Sequence, residues 1–206
     1  MNASLFLQGL GLGAGLIIAI GAQNAYVLRQ GLKREHHLGI AAVCSAADAL
    51  LIMLGGAGVG TLIASTPVLA TSAAALGATF LGVYGALAFR RAWVGEALNN
   101  SSDVPPARTL KSALLTALAF SLLNPHALLD TVVLLGSISG QYAWDARVWF
   151  LTGAVIASFT WFFTLAFAAS YLAPLFRKPN TWRILDGLIG CVMWAITASL
   201  LNGAFQ

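Results

Sequence analysis

Two carboxylates, three amides and an imidazole stand in stretches whose other residues are almost all apolar. The most conspicuous group is Ser121-Leu-Leu-Asn124-Pro125-His126-Ala-Leu-Leu-Asp130, inside a run from about Thr116 to Ile138 that is otherwise apolar enough to cross a bilayer. A proline in a helix interior removes one backbone hydrogen bond and blocks the carbonyl four residues back. In hydrocarbon such freed groups are tolerated only where protein or a wet cavity satisfies them. Asp48 lies well inside a second apolar run, with no basic residue within helical reach. A charge at the centre of a spanning helix costs roughly 3 kcal/mol on insertion scales. Gln23 and Asn24 follow Gly21 and Ala22 near the end of a third such run. Carboxylates, amides and a break in the backbone are the chemistry of holding and releasing a small cation or a proton.

The elements that must position these groups are spanning helices. The chain has 206 residues, 59% of them hydrophobic and 9% charged, with mean hydropathy +0.82. Soluble domains carry about 25% charged residues, so the chain is read as an all-α integral membrane protein. Six apolar stretches are long enough to span: Ser4–Leu28, Leu38–Ile63, Val68–Phe89, Thr116–Ile138, Val148–Ala173 and Ile184–Phe205. The first lacks a basic leading segment and a small-residue cleavage site, so it is not read as a removable signal peptide.

The net charge of +4 does not point to nucleic acid, because the basic residues sit in short loops beside apolar spans. Cys44 and Cys191 both fall inside spans and form no CxxC pair, so neither a metal or redox motif nor a disulfide framework is indicated. No HExxH or GxSxG occurs, and an enzyme is not expected. The intramembrane ionisable set is too thin for a metal carrier, whose sites cluster Asp, Glu, His and Cys. No cofactor is expected beyond a proton or sodium gradient.

Basic residues also set the orientation. Arg29, Lys33 and Arg34 follow the first span, Arg90, Arg91, Arg108 and Lys111 the third, and Arg177, Lys178 and Arg183 the fifth; the loops after the second and fourth carry none and Arg147. The positive-inside rule places the rich loops in the cytoplasm and both termini outside. The polar segment with Pro105-Pro106 divides the chain into residues 1–93, a cytoplasmic linker 94–109 and residues 110–206. Three spans per half give opposite orientations, the inverted-repeat plan of many secondary transporters, with sites on interrupted first helices. The breaks fall at Gly21-Ala22 in one half and Pro125 in the other.

Other features have quieter readings. Gly9, Gly11, Gly13 and Gly15 suit close helix packing or a contact in a homo-oligomer. His36 and His37 are expected to be interfacial, Phe159, Trp161, Phe162 and Phe163 to be packed or lipid-facing bulk, and Asp186 to pair at the interface with Arg183, one turn earlier. A structural interhelix hydrogen bond is the alternative role for Gln23 and Asn24.

The stretches Ile20-Gly-Ala-Gln-Asn-Ala-Tyr-Val-Leu-Arg-Gln-Gly-Leu-Lys-Arg-Glu35, Cys44-Ser-Ala-Ala-Asp48 and Leu123-Asn-Pro-His-Ala-Leu-Leu-Asp130 resemble the LysE family of amino-acid exporters, in its lysine/arginine branch. The neighbourhoods of Trp182 and Met193 are similar too. Where the family pattern has Gly-Pro-Gln-Asn, this chain has Gly21-Ala22-Gln23-Asn24. The resemblance implies export of arginine or lysine across the bacterial inner membrane, coupled to a gradient; export of another amino acid or small cationic solute is the alternative. Moving one positive charge out against an inside-negative potential costs about 2.3 kcal/mol per 100 mV, and exchange for one entering proton cancels it. Asp48 and Asp130 are then the cation and proton sites. Gln23, Asn24 and amides beside the first break would take the α-carboxylate, Asn124 and the backbone freed by Pro125 the α-ammonium, and His126 would relay protons or serve as a hydrogen-bonded structural residue.

Overall fold

The computed structural model describes residues 2–18, 21–59, 67–94, 109–124, 128–174 and 179–204; these are helical apart from short turns, with no strand among them. In chain order the helices are α1 (Asn2–Ile18), α2 (Ala22–Lys33), α3 (His37–Gly56), α4 (Pro67–Val94), α5 (Leu110–Leu122), a π-helical segment (Leu129–Leu134) that runs into α6 (Leu135–Gly140), α7 (Trp144–Leu172) and α8 (Pro179–Ala204).

Among the described residues three helices are long and apolar enough to cross a membrane: α3, α7 and α8; the α1–α2 pair, bent by 76°, makes a fourth if counted as one span. The difference from six uniform stretches has local causes. The first stretch is two helices, because the chain at Gly21 is extended (φ −122°, ψ 176°) and α2 restarts at Ala22 to run past Leu28 as far as Lys33. In the second, α3 ends at Gly56 and Gly58 turns the chain with φ +95°, a conformation glycine adopts at little cost; the expected end at Ile63 lies outside the described residues. The fourth begins early at Leu110, where the Thr109 side chain accepts a hydrogen bond from the Ser112 N–H at 3.3 Å, and is broken after Leu122. Most of the expected linker, residues 95–108, lies outside the described residues.

Close backbone approach organises the packing. A Cβ on Gly9 would run into the Phe150 carbonyl, and one on Gly153 into that of Phe6, so α1 and α7 lie in direct contact; Gly11 and Gly15 face open space. Gly55 and Gly136 play the same part between α3 and the π-helical segment with α6: a Cβ on Gly55 would press on the carbonyls of Thr131 and Val132. Helix α3 is thereby held between α7 on one side and the chain that carries Asp130 on the other, while α4 packs along α8. Tyr26, Phe80, Tyr84 and Phe120 form an aromatic cluster where α2, α4 and α5 meet, with neighbouring rings 4.7–6.5 Å apart. Many large apolar side chains, among them Val68, Leu76, Ile184 and Leu188, are exposed on the outer helix faces, as a lipid-facing surface requires.

Candidate functional site

Asp48 is buried in the middle of this arrangement, 3% exposed. Its Oδ1 accepts a hydrogen bond from Gln23 Nε2 at 3.3 Å and its Oδ2 one from Ser158 Oγ at 3.0 Å. The same Gln23 amide donates to Ser121 Oγ at 3.0 Å, and the Ser121 hydroxyl in turn donates to the Ala117 carbonyl at 3.1 Å. Four helices, α2, α3, α5 and α7, thus each supply one side chain to one buried network. None of the partners is a cation. The carboxylate has two neutral donors, which hold it in place without neutralising it.

The break between α1 and α2 is what brings Gln23 there. With Gly21 extended, α2 starts at Ala22 and Gln23 falls in its first turn. Asn24 fixes the corner: its Nδ2 donates to the Ile17 carbonyl in the last turn of α1 at 2.8 Å, and its Oδ1 accepts from Trp161 Nε1 at 3.1 Å. Both ends of this amide are engaged in structure, and Trp161 is a specific partner rather than bulk.

At the second break Asn124 is 7% exposed, and its Oδ1 has no hydrogen-bond partner among the described residues. A buried acceptor left unmade costs about 1–3 kcal/mol. The backbone at Asp130 lies in the π-helical segment Leu129–Leu134, a widened helix form that often marks functional sites. The Asp130 side chain, and Pro125 and His126 altogether, lie outside the described residues. No group of three or more His, Cys, Asp or Glu that could hold a metal occurs among the described residues.

Asp186 is a second buried carboxylate among the described residues, and it departs from the expected pairing with Arg183. Its Oδ1 accepts from Arg29 Nε at 2.8 Å and from Arg91 Nε at 3.4 Å, joining α8 to α2 and α4. Arg183 instead donates to the carbonyls of Ala92 and Trp93 near the end of α4, where a cation also favours the helix dipole. Arg29 is likewise more than a loop charge: it is 4% exposed.

Sequence reasoning did not single out Ser121 or Ser158. Hydroxyls in helices commonly bond the carbonyl one turn back, as Ser45, Thr116 and Thr152 do here, and nothing local distinguishes Ser121, which accepts from Gln23, or Ser158, which donates to Asp48.

The LysE type translocator family matches this chain over residues 14–203. Arginine exporter protein ArgO of Pectobacterium carotovorum is 39% identical over 203 residues, covering 98% of this chain and 99% of its own length. The protein of that name from Yersinia enterocolitica is 42% identical, covering 96% of each chain, and that of Escherichia coli K12 is 39% identical, covering 96% of this chain and 93% of its own. These relatives are named as exporters, not as enzymes. No solved structure matches the chain.

Proposed function

The chain belongs to the LysE family of translocators, and on that footing we propose that it exports a basic amino acid, arginine or lysine, from the cytoplasm in exchange for a proton. The observation that carries this reading is Asp48: a carboxylate buried among four helices, held by two neutral donors and paired with no cation among the described residues. Its counter-charge is then the cargo itself, a guanidinium or ammonium in one state and a proton in the other. Exchange of one for the other moves no net charge, and the cost of about 2.3 kcal/mol per 100 mV for a lone outgoing cation disappears. The names of the relatives favour arginine.

Asp130, on the segment pressed against α3 by Gly55 and Gly136, serves as the second carboxylate. Asn124 Oδ1 takes the α-ammonium. Gln23 orients Asp48 and Asn24 holds the corner, so the α-carboxylate falls to backbone amides at the start of α2, where the helix dipole is positive.

Six spans arranged as two inverted units, 1–93 and 110–206, suit this function in the inner membrane, with the basic loops cytoplasmic and the C-terminus external. The packing supports that plan. Helices α1 and α2 lie on α7 as α5 and the π-helical segment with α6 lie on α3, α3 packs on α7, and α4 packs on α8, the pairing a two-fold axis in the membrane plane produces.

Inverted membrane vesicles, given a panel of labelled amino acids and an acid interior, test the proposal. Arginine or lysine should accumulate, and a protonophore should collapse the accumulation. Vesicles that take up neither basic amino acid above the vector control contradict it.

A further inference from the structure

Asp186 carries two guanidiniums on one oxygen, and the two are not held alike. Arg29 makes a 2.8 Å charge-assisted bond from a side chain 5% exposed. Arg91 reaches the same Oδ1 only at 3.4 Å from a side chain 14% exposed, beyond the 2.7–2.9 Å of a strong pair. Its buried Nη2 has no acceptor among the described residues. What else holds it is the face of Tyr84, whose ring centroid lies 5.4 Å from the guanidinium carbon, inside the range of cation–π attraction. Tyr84 is itself 5% exposed, and its hydroxyl has no partner among the described residues. A carboxylate edge and an aromatic face together recognise an organic cation. Arg91 sits in the last turn of α4, where a side chain can swing out with little backbone change.

The niche also adjoins the Asp48 network. The ring of Tyr84 lies 4.7 Å from that of Phe120 and 6.1 Å from that of Tyr26. Phe120 precedes Ser121, and Tyr26 lies one turn after Gln23, the two residues whose side chains meet beside Asp48. On the orientation proposed above, Arg29, Arg91 and Asp186 lie at the end of the protein that faces the basic loops, with the aromatic cluster between them and Asp48.

We propose that Asp186 and the face of Tyr84 form a second cation site, a cytoplasmic receiving site for the side-chain guanidinium or ammonium of the exported amino acid, which Arg91 fills in this structure as a tethered surrogate. This rests on the export reading. Arriving substrate displaces Arg91, rests against Asp186 and the ring, and passes the aromatic cluster to Asp48. Arg29 stays on Asp186 throughout, which keeps α2 and α8 together while the niche exchanges its occupant.

The consequence is competition between Arg91 and substrate. Labelled arginine uptake by inverted vesicles, normalised to folded protein, gives KM and kcat. Arg91→Ala removes the competitor and should lower KM about threefold to tenfold. Tyr84→Leu should raise KM by a similar factor, and Tyr84→Phe, which keeps the ring face, should rescue it. Should Arg91→Ala not fold, Arg91→Gln, of similar reach but uncharged, carries the same expectation. An unchanged or higher KM in folded Arg91 variants overturns the site, as does failure of both to fold, which would make Arg91 a permanent structural member. A Tyr84→Phe that behaves like Tyr84→Leu also overturns it. Absence of basic amino-acid uptake by the wild type would overturn the export reading and this site together, whereas ordinary wild-type uptake with unshifted variants overturns the site alone.

Discussion

Ser158 Oγ lies 3.0 Å from Asp48 Oδ2, a hydroxyl from one long helix fixing the buried carboxylate of another. The pair joins α3 to α7 at the centre of the molecule, and it leaves the charge of Asp48 intact. A hydrogen bond to a charged group contributes about 1.5–3 kcal/mol, and residues that share such a bond are energetically coupled.

Ser158→Ala should therefore lower unfolding stability by about 1–3 kcal/mol. In an Asp48→Asn background the same change should cost less, with a coupling energy of at least about 0.5 kcal/mol. A double-mutant cycle on detergent-solubilised protein measures it. Additive effects would mean that the two side chains do not interact as described.

Arg147 holds a different junction. Its Nη1 donates to the Gly56 carbonyl at 3.0 Å, its Nε to Ser139 at 3.1 Å and its Nη2 to Gly140 at 3.2 Å and Tyr142 at 3.3 Å, so one guanidinium closes the C-terminal ends of α3 and α6. Lysine has the charge but not the planar fork. Arg147→Lys should lower the thermal midpoint by about 5 °C or more, read by the loss of monodisperse protein on heating. An unchanged midpoint would remove the capping role.

These cases show what a one-dimensional reading can reach. Asp48, Gln23 and Asn124 announce themselves, because a polar group in an apolar run is costly and needs a partner. The extended Gly21 and restarted helix at Ala22 are legible for a similar reason, a small flexible residue beside two amides. Ser121 and Ser158 are not, since most helical hydroxyls satisfy themselves locally. The Asp186 cluster is hidden by distance along the chain: its partners lie 157 and 95 residues away, while the nearby Arg183 suggests a pair that does not form. Arg147 reads as a lone loop charge until the ends of two helices are brought to it by folding. The π-helical form around Asp130 has no residue signature beyond the neighbouring proline.

Ala22 stands at the first break, where the resemblance leads one to expect a proline. It is the first residue of α2, where proline's missing N–H is no loss, and the extended Gly21 before it suits a following proline. Ala22→Pro should accumulate as folded protein, with a thermal midpoint at or slightly above that of the wild type. A misfolded variant would mean that the site of the break is misplaced.

Orientation is open to a direct reading. Reporter fusions after Gly31 and after Asn100 should report the cytoplasm, and fusions at Gln141 and Gln206 the outside. A cytoplasmic signal at Gln206 would remove the inverted-repeat plan.

The central claim is that Asp48 and Asp130 carry the cationic substrate and the proton, and uptake of labelled arginine and lysine by inverted vesicles bearing Asp48→Asn or Asp130→Asn tests it most directly. Replacing a charge in the bilayer by an amide relieves a cost of roughly 3 kcal/mol where no cation pairs with it, as at Asp48 among the described residues, and the same is expected at Asp130, so both variants should insert and fold. A carboxylate kept for structure behaves in the opposite way, because deleting one partner of a buried charged pair costs about 3–5 kcal/mol and depletes folded protein. With uptake normalised to folded protein, the expected result is normal insertion and no transport of either amino acid by each variant. Normal uptake by both variants would contradict it.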